Sequence, residues 1–305
     1  MKTVLLTGAT GFLGSHLLEE LLIKGFNVIV LKRSMSDTWR IEHLLDKTIN
    51  YDLDTVSISN IFDENNIDLV IHLATLYRKF DDGSESDEMI KSNISFPVEL
   101  VEQAVRNGVK GFINTGTYFE YDCSVLPISE KSTIKPYNLY AKTKIAFESM
   151  LKFYSDELNI TTLRLFSPYG EKDNDKLIPM IIKKALSGDE IKLSEGLQKM
   201  DFIYSGDIVD AFMSVIEGMK NNKNGYAVFN IGSGYCFSVR EVVSIVEQKL
   251  GKVINKKWGE PSTVDMPLVV SDISKAIKEL GWAPKTNIHD GIEKCIKYYG
   301  SNFIK

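Results

Sequence analysis

The apolar run Val4-Leu5-Leu6 leads directly into Thr7-Gly8-Ala9-Thr10-Gly11-Phe12-Leu13-Gly14, and leucines at 17, 18, 21 and 22 follow with the spacing of one helix face. That order reads strand, glycine turn, helix. Without β-carbons at 8, 11 and 14, the backbone can bend tightly, approach a phosphate and let the helix pack on the strand. The first N–H groups of the helix stay open to an anion. Such a turn suits a pyrophosphate, with Gly8, Gly11, Phe12, Leu13 and Gly14 as its candidate contacts.

The rest of the first half continues the alternation. Strand-like apolar runs occur at 4–6, 28–31, 69–73, 112–114 and 162–166, with helical periodicity at 98–105 and 140–158. Alternation of this kind predicts an α/β fold, a doubly wound parallel sheet covered on both faces, with ligands beyond the carboxyl ends of the strands. After Pro168-Tyr169-Gly170 the pattern loosens: helical segments at 178–186, 208–219, 239–250 and 273–280 are interleaved with short strands and Gly-, Asn- and Pro-rich turns. The expected division is a dinucleotide-binding domain over 1–168, to which later segments return, and a smaller α/β carboxyl-terminal substrate lobe over 169–305. The acidic run Asp81 to Glu88 is expected to be a solvated loop before a helix starting near Met89.

Composition narrows the function classes. The 305 residues carry 44% hydrophobic and 25% charged side chains with a net charge of −5, which argues against a nucleic-acid or anionic-membrane partner. Met1 enters the first strand within three residues and no apolar run reaches spanning length, so a cytoplasmic protein is expected. Cys123, Cys236 and Cys295 are too scattered for a disulfide framework, and the four histidines have no metal-ligand spacing, so no metal site is expected. His72, inside an apolar run, reads as a satisfied core histidine.

The chemistry points to Tyr140-Ala141-Lys142-Thr143-Lys144. Tyr140 and Lys144 are four apart and share a helix face. An ammonium beside a phenol favours the phenolate; moving a tyrosine from about 10 to about 7 takes roughly 4 kcal/mol. Alone, the spacing also describes a solvated lysine one turn after a half-buried tyrosine. The glycine turn upstream is what gives the pair meaning.

With these motifs in place, the chain resembles the extended short-chain dehydrogenase/reductase family, which shares the Rossmann fold and acts on nucleotide-activated sugars. The likeness includes Ile71-His72-Leu73-Ala74, Arg164-Leu165-Phe166-Ser167-Pro168-Tyr169-Gly170, Asp201-Phe202-Ile203-Tyr204 with Asp207, Phe229 to Gly234, Asp272-Ile273-Ser274-Lys275 and Leu280 to Lys285. It implies Thr117, Tyr140 and Lys144 as the catalytic group, Thr117 orienting a sugar oxygen against the tyrosine. It implies cofactor contacts from Asp52 and Leu53, from Leu73, Ala74 and Thr75, from Asn93 and Thr115, and from Phe166 and Pro168. Tyr118, Ser167 and Lys199 fall at substrate positions. Lys199 is the candidate replacement for an arginine that the family commonly has where this chain has Met200. Relatives often pair through helices, so a homodimer is one implied assembly.

Within that family, 4,6-dehydratases carry Asp-Glu after the catalytic hydroxyl, where this chain has Tyr118-Phe119, so dehydration is disfavoured. Epimerases acting at C3 and C5 use a cysteine at the position of Phe119 and a histidine after the Tyr-Gly, where this chain has Glu171. Chemistry at C4 remains: reduction of a 4-keto sugar by NADPH, or 4-epimerisation with retained NAD. A regulator that binds dinucleotide without turnover is the alternative of another class. Lys32, Arg33 and Ser34 end the second strand and suit a 2′-phosphate, favouring NADP(H); Asp37 keeps NAD open. The leaning is towards a 4-ketoreductase similar to the abequose and paratose synthase branch.

Overall fold

The computed structural model describes residues 2–77, 86–174, 176–219, 224–260 and 266–303. Part of the acidic run, 81–85, lies outside them. The chain forms two compact units: Met1–Asp122, Ser132–Leu165 and Phe212–Phe229 make the first, and Cys123–Lys131, Phe166–Ala211 and Asn230–Lys305 the second.

The first unit is built on strands β1 (Thr3–Thr7), β2 (Asn27–Lys32), β3 (Ile49–Asp52), β4 (Leu69–His72), β5 (Gly111–Thr117) and β6 (Asn159–Leu165), with Gly225–Ile231 completing a seven-stranded sheet. The spatial order is Gly225–Ile231, β6, β5, β4, β1, β2, β3. β1 to β6 are parallel throughout. From β1 the chain winds outward to β3, then returns to β4 on the other side of β1. Thr7 lies in register with both Leu31 and His72, so the reversal of winding falls where β1 ends.

β3 and Gly225–Ile231 stand at the two edges of the sheet and are only partly covered. β3 therefore needs no apolar run, whereas Gly225–Ile231 carries one, Tyr226 to Phe229, that the sequence reading did not assign to a strand. The inner strands are fully buried and read directly as hydrophobic runs.

Helices α1 (Phe12–Ile23), α2 (Ile58–Glu64), α4 (Phe96–Arg106) and α5 (Leu139–Phe153) cover the sheet. Leu100, Val101, Ala104, Phe147 and Leu151 share one core with Leu5, Val70 and Phe112. A short helix α3 begins at Ser86, three residues before Met89, and runs through a wide π-helical turn, Lys91–Ser95, into α4. α5 stops at Phe153 rather than reaching Leu158: the Ser155 hydroxyl donates to the Lys152 carbonyl, drawing it away from helix continuation.

The second unit has its own core. Ile181 and Ile182 on α6 (Leu177–Ser187), Val242 and Val246 on α8 (Val239–Leu250) and Ile292 on α10 (Ile288–Phe303) pack together. Short strand pairs join Pro168–Tyr169 to Ile203–Tyr204, Lys199–Met200 to Phe237–Ser238, and Ile191–Leu193 to Lys256–Trp258. Asp201, fully buried, accepts from the backbone and hydroxyls of Ser233 and Ser271. Helices α7 (Ser205–Gly218) and α9 (Ser274–Leu280) complete the order. No described helix is long and apolar enough to cross a membrane.

Candidate active site

The glycine turn leaves the end of β1. Gly8 has φ +74°, and a β-carbon there would lie 2.6 Å from the Ala74 nitrogen, so this turn is packed backbone to backbone on the exit of β4. At Gly14 a β-carbon would lie 2.0 Å from the Gly8 carbonyl oxygen. Thr7 fastens the same two strand ends: its hydroxyl is 2.8 Å from His72 Nδ1 and accepts from the Ala74 N–H at 3.2 Å. His72 is therefore the satisfied core histidine that its surroundings suggest, held neutral by burial and by the nearby Lys144 charge.

Helix α1 is capped by Gly11, whose missing side chain cannot bond the first-turn N–H groups. They remain available to a ligand, as a pyrophosphate requires. Thr115 on β5 carries a buried hydroxyl with no hydrogen-bond partner in the protein. An uncapped helix start, a cradle closed to β-carbons and an orphaned hydroxyl together fit a dinucleotide. Arg40 adds a cation that sequence reading missed: its guanidinium donates to the Thr10 carbonyl at 3.4 Å. Nothing in its local sequence separates it from a solvated arginine.

At the rim, Lys32 is half-buried and Arg33 exposed. Ser34 behaves differently from a phosphate ligand. Its hydroxyl donates to Asp52 Oδ2 at 2.6 Å and its N–H to Asp54 Oδ2 at 2.9 Å. The Ser34 bond holds Asp52 below the usual carboxylate range. Lys32 and Arg33 thus share the rim with two carboxylates. Leu53 follows Asp52 and donates its N–H to the Lys32 carbonyl at 2.9 Å, tying this rim to β2.

Asn138 accepts from the Ala141 N–H at 2.9 Å, fixing the start of α5 and with it Tyr140 in the first turn. Asn93, in the wide turn, is a bracket. Its Oδ1 accepts from Leu76 N–H at 2.8 Å and Thr75 Oγ1 at 3.1 Å, and its Nδ2 donates to Leu76 O at 2.9 Å and Thr143 Oγ1 at 3.1 Å. That one side chain joins the loop after β4 to helix α5. Tyr77 meets the Tyr140 ring edge-on, centroids 4.9 Å apart.

Lys144 Nζ lies 6.0 Å from the centroid of the Tyr140 ring. The expected lowering of the phenol does not occur. Burial pushes the Tyr140 phenol well up, Glu120 and Tyr77 add to it, and only the Thr75 hydroxyl opposes them. Burial also brings the Lys144 ammonium down to about 8, against the pull of Glu120 and Glu148. Desolvation outweighs attraction because neither charge reaches water.

Thr117 ends β5 and caps the turn Tyr118–Glu120. Its Oγ1 accepts from Phe119 N–H at 3.3 Å, while its own N–H donates to Glu120 Oε1 at 2.8 Å. The hydroxyl proton is left to donate elsewhere. Tyr118, Phe119 and Tyr137 stack in sequence, with centroids 4.4 and 5.5 Å apart, so the positions after Thr117 present rings rather than acids. Behind them, sequence reading missed a buried charge cluster, in which Arg164 meets Glu120 at 2.7 Å and Glu148 at 2.6 Å.

Phe166, Ser167, Pro168 and Lys199 belong to the second unit. Phe166 N–H donates to Ile231 O at 3.0 Å, Ser167 O accepts from Ile203 N–H at 3.1 Å, and Pro168 pairs with Ile203. Lys199 is exposed on its short strand, anchored through the backbone of Pro267 and Val269.

Comparison with known proteins agrees with this construction. The chain is 29% identical to the CDP-abequose synthase of Salmonella muenchen, covering 97% of each chain, and 29% identical to the dTDP-4-dehydro-6-deoxyglucose reductase of Escherichia coli, covering 96% of each. The crystal structure of UDP-glucuronic acid 4-epimerase from Bacillus cereus, in complex with UDP-glucuronic acid and NAD, superimposes with a TM-score of 0.89 at 25% identity over 98% of this chain and 99% of that one. Residues 4–232 match the model of the NAD-dependent epimerase/dehydratase family, well over half of the sequence, and the chain belongs to that family.

Proposed function

We propose that this chain reduces the 4-keto group of a nucleotide-activated deoxyhexose with NADPH. The observation that carries the reading is the setting of Tyr140: a buried phenol whose proton burial holds in place, one helical turn from a buried lysine and bonded to Thr75 in the loop whose Ala74 packs on Gly8 of the glycine turn. A retained proton suits a group that must give one to a developing alkoxide, the direction of ketone reduction. Two of the relatives bear the names of 4-keto sugar reduction and abequose synthesis. Tyr118 and Phe119 put rings at the two positions after Thr117, where dehydration would need an acid and a base.

When bound, the dihydronicotinamide supplies the hydride that C4 receives. Tyr140 donates the proton to the C4 oxygen, and the Thr117 hydroxyl donates a hydrogen bond that holds the same oxygen. Lys144 holds the nicotinamide ribose. Asn93 keeps the loop carrying Thr75 against α5, so that Tyr140 meets the sugar from a fixed helix. Gly8, Gly11 and Gly14 take the pyrophosphate, Lys32 and Arg33 the 2′-phosphate, and Tyr118 the nucleotide sugar.

The second reading, 4-epimerisation with retained NAD, draws on the Asp52 and Asp54 carboxylates at Ser34, which suit a ribose without a 2′-phosphate. Mass spectrometry of the cofactor that copurifies, followed by NADPH oxidation with 4-keto nucleotide sugars, separates the two. A reductase oxidises NADPH stoichiometrically. Copurified NAD with interconversion of C4 epimers, and no net NADPH consumption, would sink the proposal.

A further inference from the structure

Thr75 stands in the sequence only as a candidate cofactor contact, yet its hydroxyl is engaged inside the protein. Its neighbour Ala74 is packed against Gly8 and donates its N–H to the Thr7 hydroxyl at 3.2 Å, which pins the start of this loop from the glycine turn. On the other side Tyr77, two residues on, meets the Tyr140 ring edge-on at 4.9 Å. Between those two fixings, Thr75 Oγ1 lies 3.1 Å from Asn93 Oδ1 and is hydrogen-bonded to the Tyr140 side chain.

Counting donors forces the directions of these bonds. Leu76 meets the Asn93 amide with its N–H at 2.8 Å and its carbonyl at 2.9 Å, so Oδ1 and Nδ2 cannot be exchanged. Oδ1 only accepts, and Thr75 therefore donates to it. Nδ2 gives its second proton to Thr143 Oγ1 at 3.1 Å, and Thr143 donates in turn to the Tyr140 carbonyl at 2.7 Å. With its one proton committed to Asn93, the Thr75 oxygen can only accept from Tyr140. The phenol proton is thereby aimed at Thr75. Holding the loop does not require this hydroxyl, because both Leu76 bonds and the Thr143 bond close the Asn93 bracket without it.

We infer that Thr75 is the positioning residue of the Tyr140 hydroxyl: it receives the phenol proton at rest and, on the reductase reading, turns its own proton to the phenolate once the substrate has taken the first. In that step C4 gains the hydride of NADPH and the C4 oxygen gains the Tyr140 proton. The phenol O–H bond breaks, and its electron pair stays on the tyrosinate oxygen. A buried tyrosinate needs a donor. Rotation of one hydroxyl supplies it, and Asn93 Oδ1 gives up that proton while keeping the Leu76 N–H. A proton from water then restores the phenol, and the Thr75 hydroxyl returns to Asn93. The electrostatics agree: burial, Glu120 and Tyr77 hold the phenol proton on, while Thr75 eases its release.

Thr75→Val and Thr75→Ser test this. Valine keeps the shape of threonine without the hydroxyl, and serine keeps the hydroxyl without the methyl, so packing and hydrogen bonding predict opposite orders of damage. Tyrosine is labelled with carbon-13 at Cζ, and the Tyr140 resonance is assigned by its loss in Tyr140→Phe. In the coenzyme-free protein that resonance is expected to move upfield in Thr75→Val, where the phenol has lost its acceptor, and to stay near wild type in Thr75→Ser. An unmoved resonance in folded Thr75→Val, or an equal shift in both variants, overturns the inference. Neutron diffraction from deuterium-exchanged wild type tests it without a variant: a phenol deuterium that does not point at Thr75 Oγ1 overturns it. With a 4-keto nucleotide sugar, kcat of Thr75→Val is expected to fall about ten- to a hundredfold at unchanged KM, the loss of one hydrogen bond to a charged oxygen, and Thr75→Ser to recover most of it. A wild-type kcat in Thr75→Val overturns the turn towards the phenolate. If even wild type reduces no 4-keto sugar, the reductase reading fails, while the carbon resonance and the deuterium position still decide where the phenol proton rests.

Discussion

Tyr140 can act only as a donor while its phenol stays buried and protonated. Replacing it with phenylalanine removes the proton and little else, because the ring still meets Tyr77 edge-on. Tyr140→Phe is expected to lower kcat by about 10²- to 10⁴-fold with NADPH affinity nearly unchanged, read by single-turnover kinetics beside a fluorescence titration. A variant of normal kcat would remove Tyr140 from the mechanism. On the proposed reading, Lys32 and Arg33 act on binding instead. Changing both to alanine should weaken NADPH about tenfold more than NADH, since only the former carries the extra phosphate. Equal losses would hand the rim to Asp52 and Asp54 and favour NAD.

Among the elements, the glycine turn and the buried strands were legible because sterics and full burial each leave one type of residue. Gly14 makes the point testable. Alanine there drives a β-carbon into the Gly8 carbonyl, a backbone atom with no slack, so Gly14→Ala should cost more than about 2 kcal/mol in urea unfolding. A wild-type midpoint would mean that the turn can move. What sequence could not show was anything set by partners distant along the chain. β3 becomes a strand only by pairing at a sheet edge, and its exposure erases the apolar signal. Glu120 reads as a solvated turn acid until Arg164, forty-four positions on, is seen to reach it. The lowered phenol failed for a related reason: four-residue spacing reports that Tyr140 and Lys144 share a face, not how much water that face retains.

For the whole molecule, the burial of Lys144 is a stability cost. Its folded value near 8 lies below the free value of 10.5, so the unfolded chain binds the proton more tightly between those limits. The cost is complete below pH 8, and it is relieved as pH rises through the window. Wild type should therefore gain on Lys144→Met, by roughly 3 kcal/mol at most, between pH 7 and pH 10.5. Urea midpoints of the two proteins at several pH values measure this, and a gap that ignores pH would contradict it. The backbone seam between Gly8 and Ala74 has a different bearing, on adaptability. Because main chain abuts main chain there, side-chain replacement has no room to reshape the turn. On the proposed reading, a lineage or a designer wishing to exchange one nicotinamide coenzyme for another would have to rewrite the charged lip beyond β2, where Lys32, Arg33 and Asp52 stand.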